Sequence, residues 1–354
     1  MLNNVVITGI GFVLPAGTGN GEQLQACLAR PQAPETSVSE DILRPLIAER
    51  LWDKIDDFCR YALAAATHAM QHAGVVPQEE DMTRFGCFVG NTFGGWKFTE
   101  RELQKLYTDG ARAVSPYQAT SWFPAAVQGQ LSLAFGIKGF SKTYMLDRAS
   151  ALLSIICAAE KIADGTLDMA LAGGAESTNT LFLREVLSGM KGRTIVAGDD
   201  GNEAALAVSE GSVFLILESE EHARKQQRRI YGRLCGSGMA NYPSLPDTCC
   251  EDMTTLIKVM EKAALPYTPG MIYPDLSGNR RADHAERAAI EFLWPEAKVS
   301  HHKAVTGHTF GAEGALEVAL ACTALSTFPP LPVLINSRAS GGMCVSLLVQ
   351  KEPS

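Results

Sequence analysis

The sequence predicts a layered α/β protein built from two similar halves, with helices covering the faces of buried strands. Two observations carry this. Short apolar runs ending in glycine alternate with stretches whose apolar residues recur at helical spacing, and the alternation occurs twice in 354 residues with no Gly/Ser linker or low-complexity tract between. In the first set, Val5 to Gly11 reads as a strand running into a tight turn. Phe58 to Ala73 is a helix closed by Gly74, and Arg84 to Gly90 a second strand. Ala149 to Asp164 is nearly free of charge and long enough for a buried helix. Asp168 to Gly174 and Ser212 to Glu218 are further strands, and Glu220 to Arg229 is a charged helix. The second set comprises helices at Asp252 to Ala264, Ala282 to Leu293 and Gly311 to Leu325, then a strand through Val345 to Val349. The expected division is 1–222 and 223–354, the two halves forming one compact unit.

Composition bounds the function. Lys and Arg total 31 against 39 Asp and Glu, giving a formal charge of −8 with no dense basic block, so nucleic acid is excluded as the main partner. No apolar run approaches the roughly 18 residues of a membrane span, and the opening residues lack the charged start of a signal peptide, so a cytoplasmic location is expected. The nine Cys are scattered without a CxxC pair, which fits reduced thiols and implies neither a metal site nor a disulfide framework. Cys87, Cys157 and Cys322 read as core residues.

The most informative segment runs from Lys303 through Gly307, His308 and Gly311 to Ala315. Its glycines permit close backbone approach, and the helix that follows could hold an imidazole against a pocket. As a string it resembles the KxxxGHxxGAxGA signature of the β-ketoacyl synthases, a family of the thiolase superfamily. Val5 to Gly11, Tyr61 to Ala66, Leu171 to Glu176 and Ser209 to Ser212 resemble that family's opening strand, early helix, post-nucleophile strand and GEGA segment. The resemblance implies a thiolase-like fold, two pseudo-duplicated α/β halves in αβαβα layers.

Catalysis in the family rests on a Cys that carries the acyl chain as a thioester, two His and a gating Phe. Against the nucleophile string TACASG this chain has Leu146 to Ala151, with Arg148 at the Cys position. A guanidinium can neither form a thioester nor act as a base near neutrality. Against AHGTST it has Asp275 to Arg280, with Leu276 at the first His position and His284 nearby. No HGT string occurs anywhere. The GFGG loop matches Ala339 to Gly342, with Ser340 at the gating Phe position. Lys303 and His308 remain.

A synthase-like chain with its nucleophile replaced resembles the chain-length factors, the β-subunits of type II polyketide ketosynthase heterodimers, and its short length resembles the polyene-type members of Gram-negative clusters. The segments Asn91 to Leu103 and Val114 to Phe123 carry that likeness. It implies no catalytic residue of its own and no cofactor. The implied partner is a ketosynthase with an intact Cys-His-His site, the acyl carrier protein being met through the complex. Trp96, Phe98, Leu103, Tyr107, Trp122 and Phe123 become candidates for setting tunnel depth or meeting the partner, with plain core filling as the competing reading. Arg148 either plugs the old pocket, paired with Asp147 or Glu313, or reaches the partner's site. Two other functions remain open: a decarboxylating or otherwise active synthase with an atypical site, and an acyl-binding homodimer.

Overall fold

The computed structural model describes residues 2, 4–29, 36–189, 207–246, 248–323 and 331–352. Its strands are β1 (Val5–Leu14), β2 (Gly17–Asn20), β3 (Phe85–Gly90), β4 (Ser141–Tyr144), β5 (Met169–Glu176), β6 (Gly211–Ser219), β7 (Gly232–Asn241), β8 (Met271–Tyr273), β9 (Lys298–Val299), β10 (Val333–Arg338) and β11 (Met343–Lys351). They lie in the order β4-β3-β5-β6-β1-β7-β11-β10-β8-β9, with β2 folded back on β1. Val5 to Ile7 of β1 pair antiparallel with Leu234 to Gly232 of β7, and this short ladder joins two arms.

The arms repeat one pairing pattern. β4, β3 and β5 are parallel, and β6 and β1 follow antiparallel. In the other arm β9, β8 and β10 are parallel, and β11 and β7 follow antiparallel. Identical ladders in two halves of one chain are the structural form of the duplication expected from the sequence.

Three apolar clusters mark the helical layers. The Asp57–Ala73 and Ala126–Phe135 helices cover the first arm, and Met253–Ala264 and Arg280–Leu293 cover the second. Between the arms, Ser150–Ala163 and Glu313–Thr323 are buried in the largest cluster. Those two inner helices touch because position 314 is glycine: a Cβ there would lie 2.7 Å from the Leu152 Cβ. Among the described residues no helix is long and apolar enough to cross a membrane.

Two local expectations need correction. The first strand does not turn at Gly11 but runs to Leu14, and its glycines serve packing. A Cβ at Gly9 or Gly11 would come within 2.3 or 2.0 Å of a carbonyl oxygen in the Asp57–Ala73 helix. The charged helix stops at Lys225, because Gln227 takes a positive φ of 54° and the chain turns toward β7. Residues 324 and 325, expected to end the last helix, lie outside the described residues.

Candidate functional site

Three turns converge between the inner helices. Asp147, Leu276 and Phe310 have φ of 47°, 44° and 44°, and only one other described non-glycine residue, Gln227, shares that conformation. Left-handed backbone at such side chains is costly and concentrates at functional sites. At the first turn, Ser150 explains the shape locally. Its Oγ accepts from Leu146 N–H at 2.8 Å and donates to the Asp147 carbonyl at 2.6 Å, just ahead of the Ser150–Ala163 helix.

Arg148 follows, with only 3% of its surface exposed. One Nη donates to the Cys249 Sγ at 2.8 Å and lies 3.4 Å from an Asp275 oxygen, while the other is 3.4 Å from Asp147. Burial opposes its charge, but Asp275 and Asp147 outweigh that and raise it further above the ordinary arginine range. Asp275 is the hub. Arg338 approaches the same oxygen at 3.4 Å, and Lys303 Nζ donates to the Asp275 carbonyl. Although burial alone would keep Asp275 protonated, Arg148, Arg338 and Lys303 hold it well below the usual carboxylate range.

Arg338 is buried and donates to Asp283 and Glu286, both at 2.9 Å. Lys303 is likewise buried and stays above its ordinary value: desolvation is overcome by Glu313, Asp275 and Glu317. His308 shares a 3.1 Å contact between Nδ1 and Glu313 Oε2, and the same oxygen accepts from Thr309 N–H at 2.8 Å. Burial is outweighed by Lys303 and His308, so Glu313 sits at about 2, whereas burial lowers His308 and leaves it neutral. Its Nε2 is buried without a hydrogen-bond partner, and its ring stacks on Phe310 at 4.4 Å.

Ser340 completes the site. Its Oγ donates to Asp147 Oδ2 at 2.8 Å and its N–H to the same atom at 3.2 Å, so one carboxylate ties the 339–342 turn to the Arg148 turn. Arg148, Lys303, His308 and Ser340 are therefore linked through Asp147, Asp275 and Glu313, with Leu276 next to Asp275 in the chain. Of the two partners expected for Arg148, Asp147 is present. Glu313 is not, because His308 and Thr309 occupy it. His284 faces no part of this network among the contacts described. Cys157 is half-buried against the central cluster rather than fully inside it. Asp275, Arg338 and Cys249 were missed. The acid beside Leu276, the cation two residues before Ser340 and the Cys249-Cys250 doublet were the available signals, and none has a recognisable spacing.

The aromatic candidates fall elsewhere, on and beside the Trp96–Asp109 helix. Trp96 stacks on Phe182 at 4.1 Å, and the Glu100 carboxylate accepts from Leu181 and Phe182 N–H at 3.3 and 3.1 Å, anchoring the Leu181–Gly189 helix. Leu103, Tyr107, Trp122 and Phe123 are exposed; Trp122 and Phe123 meet edge to face at 5.6 Å. Phe98 departs from the group. It is turned inward, 3% exposed, with the Arg101 guanidinium 4.5 Å from its ring centre. Phe182 was not singled out, because its partner Trp96 is 86 positions away and no local pattern links them. Among the described residues no cluster of three or more His, Cys, Asp or Glu is placed to hold a metal ion.

Fold and centre together define a thiolase-like ketosynthase scaffold. Residues 44–223, just over half the chain, match the β-ketoacyl synthase N-terminal domain, and the chain belongs to the β-ketoacyl synthase family. It is 28% identical to the tetracenomycin polyketide synthase ketoacyl synthase beta subunit of Streptomyces glaucescens, over 98% of this chain and 91% of that one. It is equally 28% identical to 3-oxoacyl-acyl-carrier-protein synthase 2 of Coxiella burnetii, over 94% and 88%. A solved complex of a type II polyketide acyl-carrier protein with its ketosynthase bound to the hexaketide superposes with TM-score 0.82 and 26% identity, covering 98% of this chain and 99% of that one.

Proposed function

We propose that this chain is the non-catalytic, chain-length-determining member of a heterodimer, paired with a ketosynthase that keeps its Cys-His-His site and receives substrate from an acyl carrier protein. The observation that carries the reading is Arg148. At the position where the resemblance puts the acyl-carrying thiol stands a buried guanidinium, held by Asp275, Asp147 and Cys249. Cysteine thioester chemistry is closed there, and the ion pairs fill the space an acyl group needs. The exposed Leu103, Tyr107, Trp122 and Phe123, with the Trp96 and Phe182 stack, then offer bulk toward a partner's growing chain, excluding volume rather than reacting. The cytoplasm, where acyl carrier proteins operate, is the location this role requires.

Co-expression with an intact ketosynthase tests it. A stable one-to-one complex is expected, in which a cerulenin-type electrophile labels the partner's cysteine and none of the nine in this chain. Labelling of this chain, or condensing activity from it alone, would sink the reading. His308 favours a second one. Neutral, oriented by Glu313 and with a free Nε2, it has the form of a group able to interact with a thioester carbonyl, as a malonyl-carrier decarboxylase would need. Carbon dioxide release from malonyl-carrier by the purified chain, lost in His308→Ala, would support that reading over the first.

A further inference from the structure

The Trp96–Asp109 helix is tied to the interior along its length. Phe98 N–H donates to the buried Asp56 carboxylate at 2.6 Å, and one turn on, the buried Glu102 accepts from Ser115 N–H at 2.7 Å. Trp96 and Glu100 lie four positions apart, on one face of this anchored helix. Both reach the same residue. The Trp96 ring lies on Phe182 at 4.1 Å with the planes 20° apart, while the Glu100 carboxylate gives one oxygen to Leu181 N–H at 3.3 Å and the other to Phe182 N–H at 3.1 Å.

The first N–H groups of a helix have no partner inside it. In the Leu181–Gly189 helix the first two go to Glu100 and the third, from Leu183, to the Thr180 Oγ at 3.1 Å. A carboxylate at this end also meets the positive pole of the helix. The preceding residue pair is held separately, since Asn179 N–H donates to Glu210 at 3.3 Å and its side-chain amide to Ser37 Oγ at 2.7 Å. Phe182 is 45% exposed, so packing alone confines its ring weakly. Lys97, Arg101 and Arg184 line the cleft around Glu100, and each has another acceptor: Asp57 for Lys97, Glu102 for Arg101 and the Asn179 side chain for Arg184. The Glu100 carboxylate is thereby left to the two amides.

We infer that Glu100 is a positioning residue for product length: it fixes the Phe182 backbone so that the ring stays stacked on Trp96 and blocks space that the partner's acyl chain would otherwise enter. The inference rests on the reading of this chain as the length-determining subunit. In this role Glu100 touches no substrate, and its whole effect passes through Phe182. Without the carboxylate the first turn of the helix loosens, the ring leaves Trp96 for part of the time, and the blocked space opens.

Product length from the heterodimer with its ketosynthase and acyl carrier protein, measured by mass spectrometry, tests this in the parent, Glu100→Ala, Phe182→Ala and the double variant. Glu100→Ala is expected to shift the products toward longer chains, by less than Phe182→Ala does, and Glu100→Gln, which keeps one acceptor oxygen, should fall between Glu100→Ala and the parent. The double variant should match Phe182→Ala alone, because two residues acting through one contact do not add. A purely structural role would lower the yield of complex without moving length. Amide hydrogen exchange in the same heterodimer reads the hold directly: Leu181 and Phe182 N–H should exchange about tenfold faster in Glu100→Ala, the factor expected when a hydrogen bond to a charged group is lost. Unchanged exchange, unchanged length in Glu100→Ala beside longer products from Phe182→Ala, or additive shifts in the double variant would overturn the inference and leave the heterodimer reading standing. Absence of a complex, or unchanged length in Phe182→Ala, would overturn the reading beneath it as well.

Discussion

The centre of the molecule and the face around the Trp96–Asp109 helix carry the two groups of residues that the sequence singled out, and they are built on opposite principles. In the centre nearly every polar atom of Arg148, Asp275, Lys303 and Glu313 is engaged, and each residue is at most 3% exposed. On the helix face Tyr107 is 85% exposed, and Trp122 and Phe123 are half-exposed. Buried charges stay only where partners fix them, whereas exposed aromatics in numbers mark a surface awaiting contact. The charged centre is thus part of the interior, whereas the aromatic side chains around the helix stay open to solvent.

Changes in the centre should cost most. Arg148→Ala leaves a cavity and withdraws a cation from Asp275, so chemical denaturation should register a loss of about 3 kcal/mol. Stability within experimental error of the parent would show that the cluster is dispensable. Arg148→Cys is expected to lose similar stability and to gain no condensing activity in a ketosynthase assay, because Leu276 and the remaining ion pairs still occupy the site.

Acid should reach the same cluster through Glu313. Its carboxyl is ordinarily near 4.5 and sits at about 2 in the fold. Between those values the unfolded chain binds a proton that the folded chain does not, so stability falls as pH drops. The contribution is complete above 4.5 and gone below about 2, on the order of 3 kcal/mol. Denaturation series across that range should show a shallower slope in Glu313→Gln; an unchanged slope would assign the acid sensitivity to other carboxylates.

Smaller effects are expected toward the surface. Ser340→Ala removes one of the two hydrogen bonds that Ser340 gives to Asp147 and should cost about 1 kcal/mol, read as a lowered melting temperature. Phe182→Ala breaks the stack on Trp96, worth about 1 kcal/mol or less to the fold. In the proposed heterodimer, however, the same change should lengthen the product chain as measured by mass spectrometry. If product length moves with central variants and not with Phe182, the division between the two regions is wrong.

Much of the scaffold was legible because strand and helix periodicity are local signals. The helix at 57–73 shows it, with Asp56 capping its start and Gly74 at φ 67° closing it. The motif around Lys303 and His308 was legible for the same reason, since its glycines and its helix are contiguous. Gly11 misled because a glycine that ends a strand and one that admits a neighbouring helix look alike in sequence. Glu313 was misassigned to Arg148 because charge alone does not say which of two buried cations an acid will meet.

By itself the sequence determined the duplicated α/β fold and the family, since each is written in residue order and local pattern. Only the tertiary structure decided what surrounds Arg148. Asp275 and Cys249 lie 127 and 101 positions beyond Arg148, and Arg338, 190 beyond, joins the cluster through Asp275. Asp275 and Cys249 reach Arg148 because two helices and three strained turns enclose a space too dry for an unpaired charge, and within such a space the partners of a guanidinium are chosen by distance rather than by sequence.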